Sequence, residues 1–385
     1  MSERYGPHFG KIFAAALLQE VSFVLLVHFP GYLEGLGATE SVIGLLYAAA
    51  AVLGLGFRPA LGRILDLTHR RTVLLVTGLA NATVVLLLTV TVVFGPFLWG
   101  LFLAQRVLQI ALFTTMLTYI ADSLPLQHRT QGLALFGLSG LFPIALGGVA
   151  GDLVIDAFGF DALFVLASAA SVASWLLVWR LPLLPVMGHR PRRGFWSAMA
   201  QRNLLPVWWV TLFFSIGLET LFTFTRTYVD QREIGSAGLF FGVYGVAAAM
   251  MRIVGGRFYD RLPYRPLVVS ALVAYGLSLA LMAVAGALPL FVMAALAGGL
   301  SHGAVFPILT SQVVGRARTA ERGSAMAIFT SIFDIALLLA APVVGRLIDG
   351  FDYGVAFGSV AVALGFGALV YAIWDRRTVV QPATA

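Results

Sequence analysis

Cysteine is absent from the 385 residues of the chain. Disulfides, thiol nucleophiles and cysteine-ligated metal sites are therefore excluded. Charge is scarce as well, because Asp, Glu, Lys and Arg make up 11% of the residues, against roughly 25% in a soluble domain. So little charge cannot cover a water-facing surface. With 59% hydrophobic residues and a mean hydropathy of +0.92, the chain is predicted to have a lipid bilayer as its solvent.

The short motifs of several enzyme classes are also missing. The sequence contains no Gly-Lys-Ser/Thr phosphate loop, no Gly-x-Ser-x-Gly nucleophile motif and no clustered acids or histidines with metal-binding spacing. We therefore predict that the protein is not an enzyme, uses no cofactor or metal and is not driven by ATP.

What the sequence does contain is a series of apolar runs of about 20 residues, the length that a helix needs to cross a bilayer. A polar, proline-bearing segment divides them into two groups of six. We predict an all-α membrane protein made of two six-helix bundles, residues 1–181 and 205–385, joined by a linker over 182–204. The spans are predicted near 12–33, 41–62, 73–94, 97–121, 131–152, 161–181, 205–228, 236–257, 267–287, 289–314, 324–345 and 354–374.

The distribution of positive charge predicts the orientation. All but four of the 25 lysines and arginines fall at the termini or in the loops on one side of the predicted spans. Positive residues stay on the cytoplasmic side of a membrane, so both termini and the linker are expected there. The basic residues behind the net charge of +7 thus flank the predicted membrane spans. We expect membrane lipid as a partner and no nucleic acid.

One stretch of the chain, residues 58–71, has a copy half a chain away. It recurs 194 positions later (252 − 58), with Arg58, Gly62, Arg63 and Asp66 matched by Arg252, Gly256, Arg257 and Asp260. At an offset of 193 (302 − 109), further pairs follow, among them Gln109 with His302, Phe113 with Phe306 and Asp156 with Asp349. An offset that is steady to one residue predicts duplicated halves, related by an axis along the membrane normal.

The first copy carries a family motif. Gly62-x-x-x-Asp66-x-x-x-Arg70-Arg71, between spans two and three, resembles the signature of the major facilitator superfamily, although Leu67 and His69 depart from it. Asp122-x-x-Pro125-x-x-x-Arg129 after span four is also similar to that family. The resemblance covers essentially the whole chain. It implies two pseudo-symmetric six-helix bundles, alternating access and a small-molecule substrate, and we expect a monomer.

A second resemblance concerns the direction of transport. The segment Gly140 to Gly148 resembles the family's antiporter motif in its closing glycines and its proline, and Phe29-Pro30-x-Tyr32 resembles bacterial efflux members. We predict a secondary transporter of the bacterial inner membrane that exports a hydrophobic or amphipathic small molecule against protons. The alternative is proton-coupled uptake of an organic anion, held by Arg106 and Arg226. A channel or receptor is a further alternative, which a counterflow assay would separate from a carrier.

Charges that occur in both halves are expected to serve what the halves share, namely packing and a cytoplasmic gate. Asp66 and Asp260, in particular, are predicted to contact nearby arginines or helix N-termini and to latch the cytoplasmic ends. The alternative is a solvated loop charge. The predicted gate residues are Arg58, Gly62, Asp66, Arg70, Arg71, Asp122, Arg129, Arg252, Gly256, Asp260 and Arg322.

Four charges lie deep in predicted spans and do not repeat: Glu20, Arg106, Glu219 and Asp334. Each costs at least ~2.5–3.5 kcal/mol in a bilayer on insertion scales, which points to a function. We predict the three acids as proton-coupling residues and Arg106 as a substrate ligand that pairs with Glu20. The alternatives are a fixed structural ion pair and hydrogen bonds to neighbouring helices.

Other polar and aromatic residues are weaker candidates for substrate binding. An outer arginine can snorkel to the interface, a histidine can fill a hydrogen-bonding gap, and phenylalanines can simply pack. An aromatic cavity would favour an amphipathic substrate over a sugar. The candidates are Arg226, His302, Gln109, His28, Phe23, Phe113, Phe222 and Phe306.

Overall fold

The computed structural model describes residues 8–124, 136–184, 195–255, 262–318 and 321–378, without the side chains of 195–196 and 376–378. Across these ranges the regular structure is helical and contains no strand. Besides a short helix at Phe195–Met199, the long helices are α1 (Phe9–Gly35, with a 3-10 turn at Leu26–His28), α2 (Glu40–Leu67), α3 (Arg70–Val90), α4 (Pro96–Ser123), α5 and α6 (138–158 and 160–179), α7 (Leu205–Arg232), α8 (Ala237–Gly255), α9 (Tyr264–Val284), α10 (Leu288–Arg316), α11 (Arg322–Gly350) and α12 (Tyr353–Thr378).

α5 and α6 form one hydrogen-bonded stretch, Leu138–Trp179, that reverses direction at Gly159. This residue has φ 80°, a conformation that glycine adopts at little cost. Asp152 lies beside His28 near the end of α1, whereas Ser174 Oγ donates to the Ala15 carbonyl near its start. The chain therefore crosses the bundle twice here. The prediction of twelve membrane-spanning helices is confirmed among the described residues.

Proline marks the start of three of these helices. Pro96, Pro206 and Pro289 lie in the first turns of α4, α7 and α10. A proline is suited to that position because its missing N–H would have no intrahelical acceptor there. Pro96 and Pro289 also obey the offset of 193 (289 − 96), so the repeat includes helix starts.

α2 is longer than its apolar run. The sequence predicts an end near residue 62, but the helix continues to Leu67, so that Gly62 and Asp66 are helical. Only Thr68 and His69 connect it to α3. Long charged side chains such as Arg63 can reach the membrane interface from a helix, so the helix need not end where the apolar residues do.

Helices α1–α6 form the first half and α7–α12 the second. We call the end where α1 begins the proximal end and the opposite one the distal end. The halves meet mainly where α2 packs on α11 and α5 on α8, with α1 against α7. Gly44 faces the Ala341 backbone and Gly345 faces the Glu40 backbone so closely that neither has room for a Cβ atom. Small residues permit such close helix packing in membranes. The exact division at residues 181 and 205 stays a prediction.

Candidate functional site

A cavity of about 300 Å³ lies between the halves. This volume is at the small end of the range for ligand sites. From the first half it is lined by α1, α2 and α4, with one residue each from α3 and α5, and from the second half by α7, α10 and α11. Much of the wall is aliphatic or aromatic. Its polar side chains are Tyr47, Gln105, Arg106, Gln109, Glu219, Thr223, His302 and Asp334.

Seven of the predicted site residues line this cavity, and five others lie elsewhere. Those on the wall are Phe23, Arg106, Gln109, Glu219, Phe222, His302 and Asp334. Phe113 is 44% exposed and lies two turns nearer the proximal end than Arg106, on the same side of α4. Phe306 packs against Arg252, Phe329 and Phe333. Neither phenylalanine lines this cavity, and their part in substrate binding stays a prediction.

Arg106 is held by aromatic rings. Its guanidinium carbon lies 5.3, 4.6 and 5.3 Å from the ring centroids of Phe23, Tyr47 and Phe102. Cation–π attraction at these distances orients the planar fork. Its Nε is buried without a hydrogen-bond partner. Phe102 was not among the predicted site residues, although its spacing of four residues from Arg106 places both on one helix face.

The predicted pair of Glu20 with Arg106 does not form. None of the ion pairs between described residues involves Arg106, and the carboxylate of Glu20 accepts a hydrogen bond from Gln109 Nε2 at 3.4 Å. From there a buried chain continues through the first half. Gln19 donates to Gln109 at 3.3 Å, Ser171 to Gln19 at 3.0 Å, and Asn81 to Ser171 at 3.1 Å. Glu20 thus faces its own half rather than the cavity.

The second half has a buried chain that starts at the equivalent position. His302, which the repeat pairs with Gln109, lines the cavity and shares a hydrogen bond of 2.8 Å with the Tyr244 hydroxyl. That hydroxyl lies 3.1 Å from the hydroxyl of Tyr275. Tyr275 is 194 positions after Asn81 (275 − 81), so both chains run from the fourth helix of a half to its third.

Asp334 joins the two halves through an ion pair with Arg58. Arg58 Nε donates to Asp334 Oδ2 at 2.7 Å, and Nη2 lies 2.6 Å from the same oxygen. Arg58 is nine residues from the proximal end of α2, and Asp334 is twelve residues from that of α11. The bond therefore crosses the interface on the proximal side of the cavity. Glu219 is different, since none of the described residues donates a hydrogen bond to it or pairs with it.

His28 and Arg226 lie at the distal end, not on the cavity wall. Arg226 contacts Asp230 at 2.8 Å and Asp152 at 3.2 Å, and its Nη1 donates to His28 Nδ1 at 3.3 Å. His28 Nε2 donates to the Gly148 carbonyl at 3.1 Å. We call His28, Asp152, Arg226 and Asp230 the distal cluster. It ties α1 and α5 to α7, so His28 and Arg226 do not line the cavity in this conformation, and their role in substrate binding stays a prediction.

Two acids of the distal end accept hydrogen bonds from the first residues of a helix in the other half. Asp349 of α11 accepts from the backbone N–H groups of Glu40 and Ser41 at 3.1 and 2.8 Å. Asp152 of α5 accepts from that of Gly238 at 2.6 Å. Helix N-termini favour negative charge, so each acid stabilises closure. The repeat pairs Asp349 with Asp156, but the equivalent contact is made by Asp152, one turn earlier, and Asp156 is exposed.

The predicted gate residues fall into three groups. Arg58 and Arg252 cross between halves, the latter donating to the Gly137 carbonyl at 3.3 Å. Others bond inside the first half: Arg70 pairs with Asp122 at 3.2 Å, and Arg71 donates to the Trp179 carbonyl at 2.5 Å. Gly62 and Asp66 lie in α2, and Arg322 is exposed at the start of α11. Arg129, Gly256 and Asp260 lie outside the described residues.

Comparison with known proteins agrees with this architecture. The Major Facilitator Superfamily model matches residues 12–269 and 233–384. A staphylopine export protein of Staphylococcus aureus is 24% identical over 350 residues, which cover 85% of each chain. An uncharacterized MFS-type transporter of Salmonella typhimurium is 23% identical over 387 residues, 95% of this chain and 96% of its own.

Solved structures share the fold at lower identity. The structure of a nucleoside transporter superposes with a TM-score of 0.77 at 14% identity, over 96% of this chain and 99% of that one. A POT family transporter gives 0.80 at 11% identity, over 96% of both. The family match covers nearly all of the chain, so the protein is a multi-pass transporter, not an enzyme, and it belongs to the Major Facilitator Superfamily.

Proposed function

We propose that the protein exports a hydrophobic or amphipathic small molecule across the bacterial inner membrane in exchange for protons. The observation that carries this proposal is the ion pair of Asp334 with Arg58, which joins the halves at the cavity wall. A proton that enters the cavity can reach the carboxylate. Once neutral, Asp334 no longer attracts the guanidinium as a charge, and the proximal contact weakens.

This single pair is sufficient to order an antiport cycle. With Asp334 ionised, the proximal side is held closed and the carrier can open distally. A proton from the distal side neutralises Asp334, releases Arg58 and permits proximal opening. Release of that proton on the proximal side lets substrate bind and the pair re-form. With the proximal end in the cytoplasm, as the arginine distribution predicts, the cycle exports substrate and admits protons.

The character of the wall supports an amphipathic substrate. Phe23, Phe29, Phe102 and Phe222 contribute aromatic surface, and Arg106 and Glu219 add charge. The name of the relative in Staphylococcus aureus supports export as the direction. Uptake of an organic anion is the second candidate, favoured by the unpartnered Nε of Arg106. Of the two arginines expected to hold the anion, only Arg106 lines the cavity, since Arg226 lies in the distal cluster.

The proposal is tested by replacing Asp334 with Asn. A single cysteine at Ala50, on the cavity wall, reports proximal opening through labelling by an impermeant maleimide, and the native chain offers no other cysteine. We expect labelling from the proximal side to rise as pH falls. In Asp334→Asn the labelling should be high at every pH, about tenfold above that of the parent protein with Asp334 ionised. A tenfold change corresponds to the free energy of one charged hydrogen bond.

Arg63→Gln is the matched control, because Arg63 is an exposed arginine of the same motif. It should keep the parent's pH response. The proposal would be contradicted if labelling of the Ala50 cysteine in the otherwise unchanged protein did not depend on pH. Loss of the pH response in Glu20→Gln but not in Asp334→Asn would move the proton site to Glu20. In inside-out vesicles, accumulation of ethidium driven by an acid lumen would indicate export, and the opposite pH dependence would indicate uptake.

A further inference from the structure

Three polar groups of the cavity wall lie outside the Asp334–Arg58 bond, and each has a polar atom without a hydrogen-bond or ion-pair partner among the described residues. Arg106 Nε and Thr223 Oγ1 are buried without a hydrogen-bond partner, and Thr223 is only 1% exposed. Glu219, one turn before Thr223, accepts no hydrogen bond from any described residue. Threonines in helices commonly donate to the carbonyl four residues earlier, as Thr220 does to Ile216. The hydroxyl of Thr223 does not.

These groups form two opposite poles across one cavity. Arg106 comes from α4 in the first half, whereas Glu219 and Thr223 come from α7 in the second. Arg106 and Glu219 interact electrostatically, yet no ion pair joins them. A buried charge without a partner is costly, and a direct ion pair between Arg106 and Glu219 would reduce that cost. The separation instead leaves room between the charges for something that satisfies both.

We propose that the transported molecule is amphoteric, with an anionic group that binds Arg106 and an ammonium that binds Glu219 and Thr223. A carboxylate fits the guanidinium fork, which the three aromatic rings hold in a fixed plane. An ammonium can donate to both the carboxylate of Glu219 and the oxygen of Thr223. The body of the molecule lies against Phe23 and Phe222, and the volume of about 300 Å³ keeps it small.

This inference rests on the proposed function, since it names the substrate class of the same cavity. It also fits the antiport cycle. The substrate's ammonium uses Glu219, while the proton uses Asp334, so the two cargoes need not compete for one carboxylate. A ligand that touches both halves would also draw them together, as the step that follows substrate loading requires.

The test uses matched chemical triplets. Phenylalanine, tryptophan and phenylalanylglycine each serve as the amphoteric parent, and each is compared with its methyl ester, which lacks the anion, and its N-acetyl derivative, which lacks the cation. The purified full-length protein is assayed by thermal shift and by counterflow in proteoliposomes. We expect at least one parent to bind about tenfold or more tightly than both of its derivatives.

Variants assign the poles. Arg106→Gln should bring the affinity for the parent down to that for its ester, and Glu219→Gln should bring it down to that for the N-acetyl derivative. Arg106→Lys should restore part of the preference because it keeps the charge. Gln105→Ala, an uncharged change on the same wall, should alter the three members of a triplet by the same factor. Ratios within a triplet cancel any general loss of stability.

Tighter binding of esters or N-acetyl derivatives than of parents would overturn the inference, and so would the absence of binding by all nine compounds. Other outcomes distinguish a failure of the proposed proton-coupled export from a failure of the amphoteric substrate class. If parents bind and exchange but a proton gradient drives none of them, amphoteric recognition stands and proton coupling does not. If a proton gradient drives ethidium while the esters bind best, proton-coupled export stands and the amphoteric class is wrong.

Discussion

The two ends of the interface between the halves are closed in different ways. At the distal end the contacts are several, and two of them are alike, with Asp152 and Asp349 each bonded to the start of a helix across the interface. At the proximal end the repeat supplies two arginines with unequal partners. Arg58 meets a carboxylate, whereas Arg252 donates to a backbone carbonyl.

The inequality has a cause in the sequence. Asp334 of α11 corresponds to Leu141 of α5 at the offset of 193 (334 − 141), so only one of the two arginines finds an acid at that position. A contact made by one titratable pair can be released by one proton. The distal closure, which distributes its contacts over α1, α2, α5 and their partners, cannot be released that simply. The contrast supports a proximal side that responds to protons.

The largest effect should follow from removing Arg226. In Arg226→Gln the carboxylates of Asp152 and Asp230 lose their shared cation. The side chains of Arg226 and Asp152 are 15% and 13% exposed, so the loss should approach the ~3–5 kcal/mol that breaking a fully buried pair costs. The distal side should open. A cysteine at Val27, on the cavity wall, should become reactive to an impermeant maleimide applied to intact cells. Arg232→Gln is the control, because Arg232 and Asp352 are 40% and 55% exposed and 3.8 Å apart.

A smaller effect should follow from removing the two acids that accept from helix starts. Asp349→Asn should weaken distal closure by about 0.3–1 kcal/mol, the typical contribution of a negative charge at a helix N-terminus. Asp152→Asn should weaken it more, because it also loses Arg226. The same Val27 cysteine gives the measurement. Asp156→Asn should behave as the parent does. If Asp156→Asn raised labelling as much as Asp349→Asn does, Asp156 and not Asp152 would be the functional counterpart of Asp349, as the sequence repeat indicates.

A similarly small effect is expected for Arg252. Of the contacts that cross the interface between described residues, Arg252→Gln loses a bond to a neutral carbonyl, worth about 0.5–1.5 kcal/mol, whereas Arg58→Gln removes the guanidinium that pairs with Asp334. Proximal labelling of the Ala50 cysteine should therefore rise slightly in Arg252→Gln and strongly in Arg58→Gln. Equal increases would show that the two proximal contacts are equivalent in spite of their different partners.

Helix positions were largely predictable from the sequence, but the partners of the side chains were not. Apolar run length sets where a span lies, and the four unrepeated charges lie inside long helices, as their positions in the predicted spans indicated. Depth alone does not say which way a side chain points. Glu20 and Arg106 lie at similar depth, yet Glu20 bonds to Gln109 within the first half and Arg106 faces aromatic rings.

The distal cluster shows the same limit. His28 and Arg226 lie near the ends of their helices. Whether those ends are in contact depends on the tilt of α1 and α7, which the sequence does not give. Here they meet, with Asp152 between them. The shift from Asp156 to Asp152 has the same origin, since one helical turn in register depends on how α5 and α8 cross and not on residue type.

The close contacts of Gly44 with Ala341 and of Gly345 with Glu40 have a mechanical consequence. They form a fulcrum at the distal end of α2 and α11. Arg58 lies 14 residues along α2 from Gly44, a lever arm of about 21 Å at 1.5 Å per residue. A tilt of only about 10° about that fulcrum moves the end of such an arm by about 4 Å. That displacement exceeds the length of the Arg58–Asp334 bond, so a small rotation of one rigid half is enough to convert the loss of one charge into an open passage.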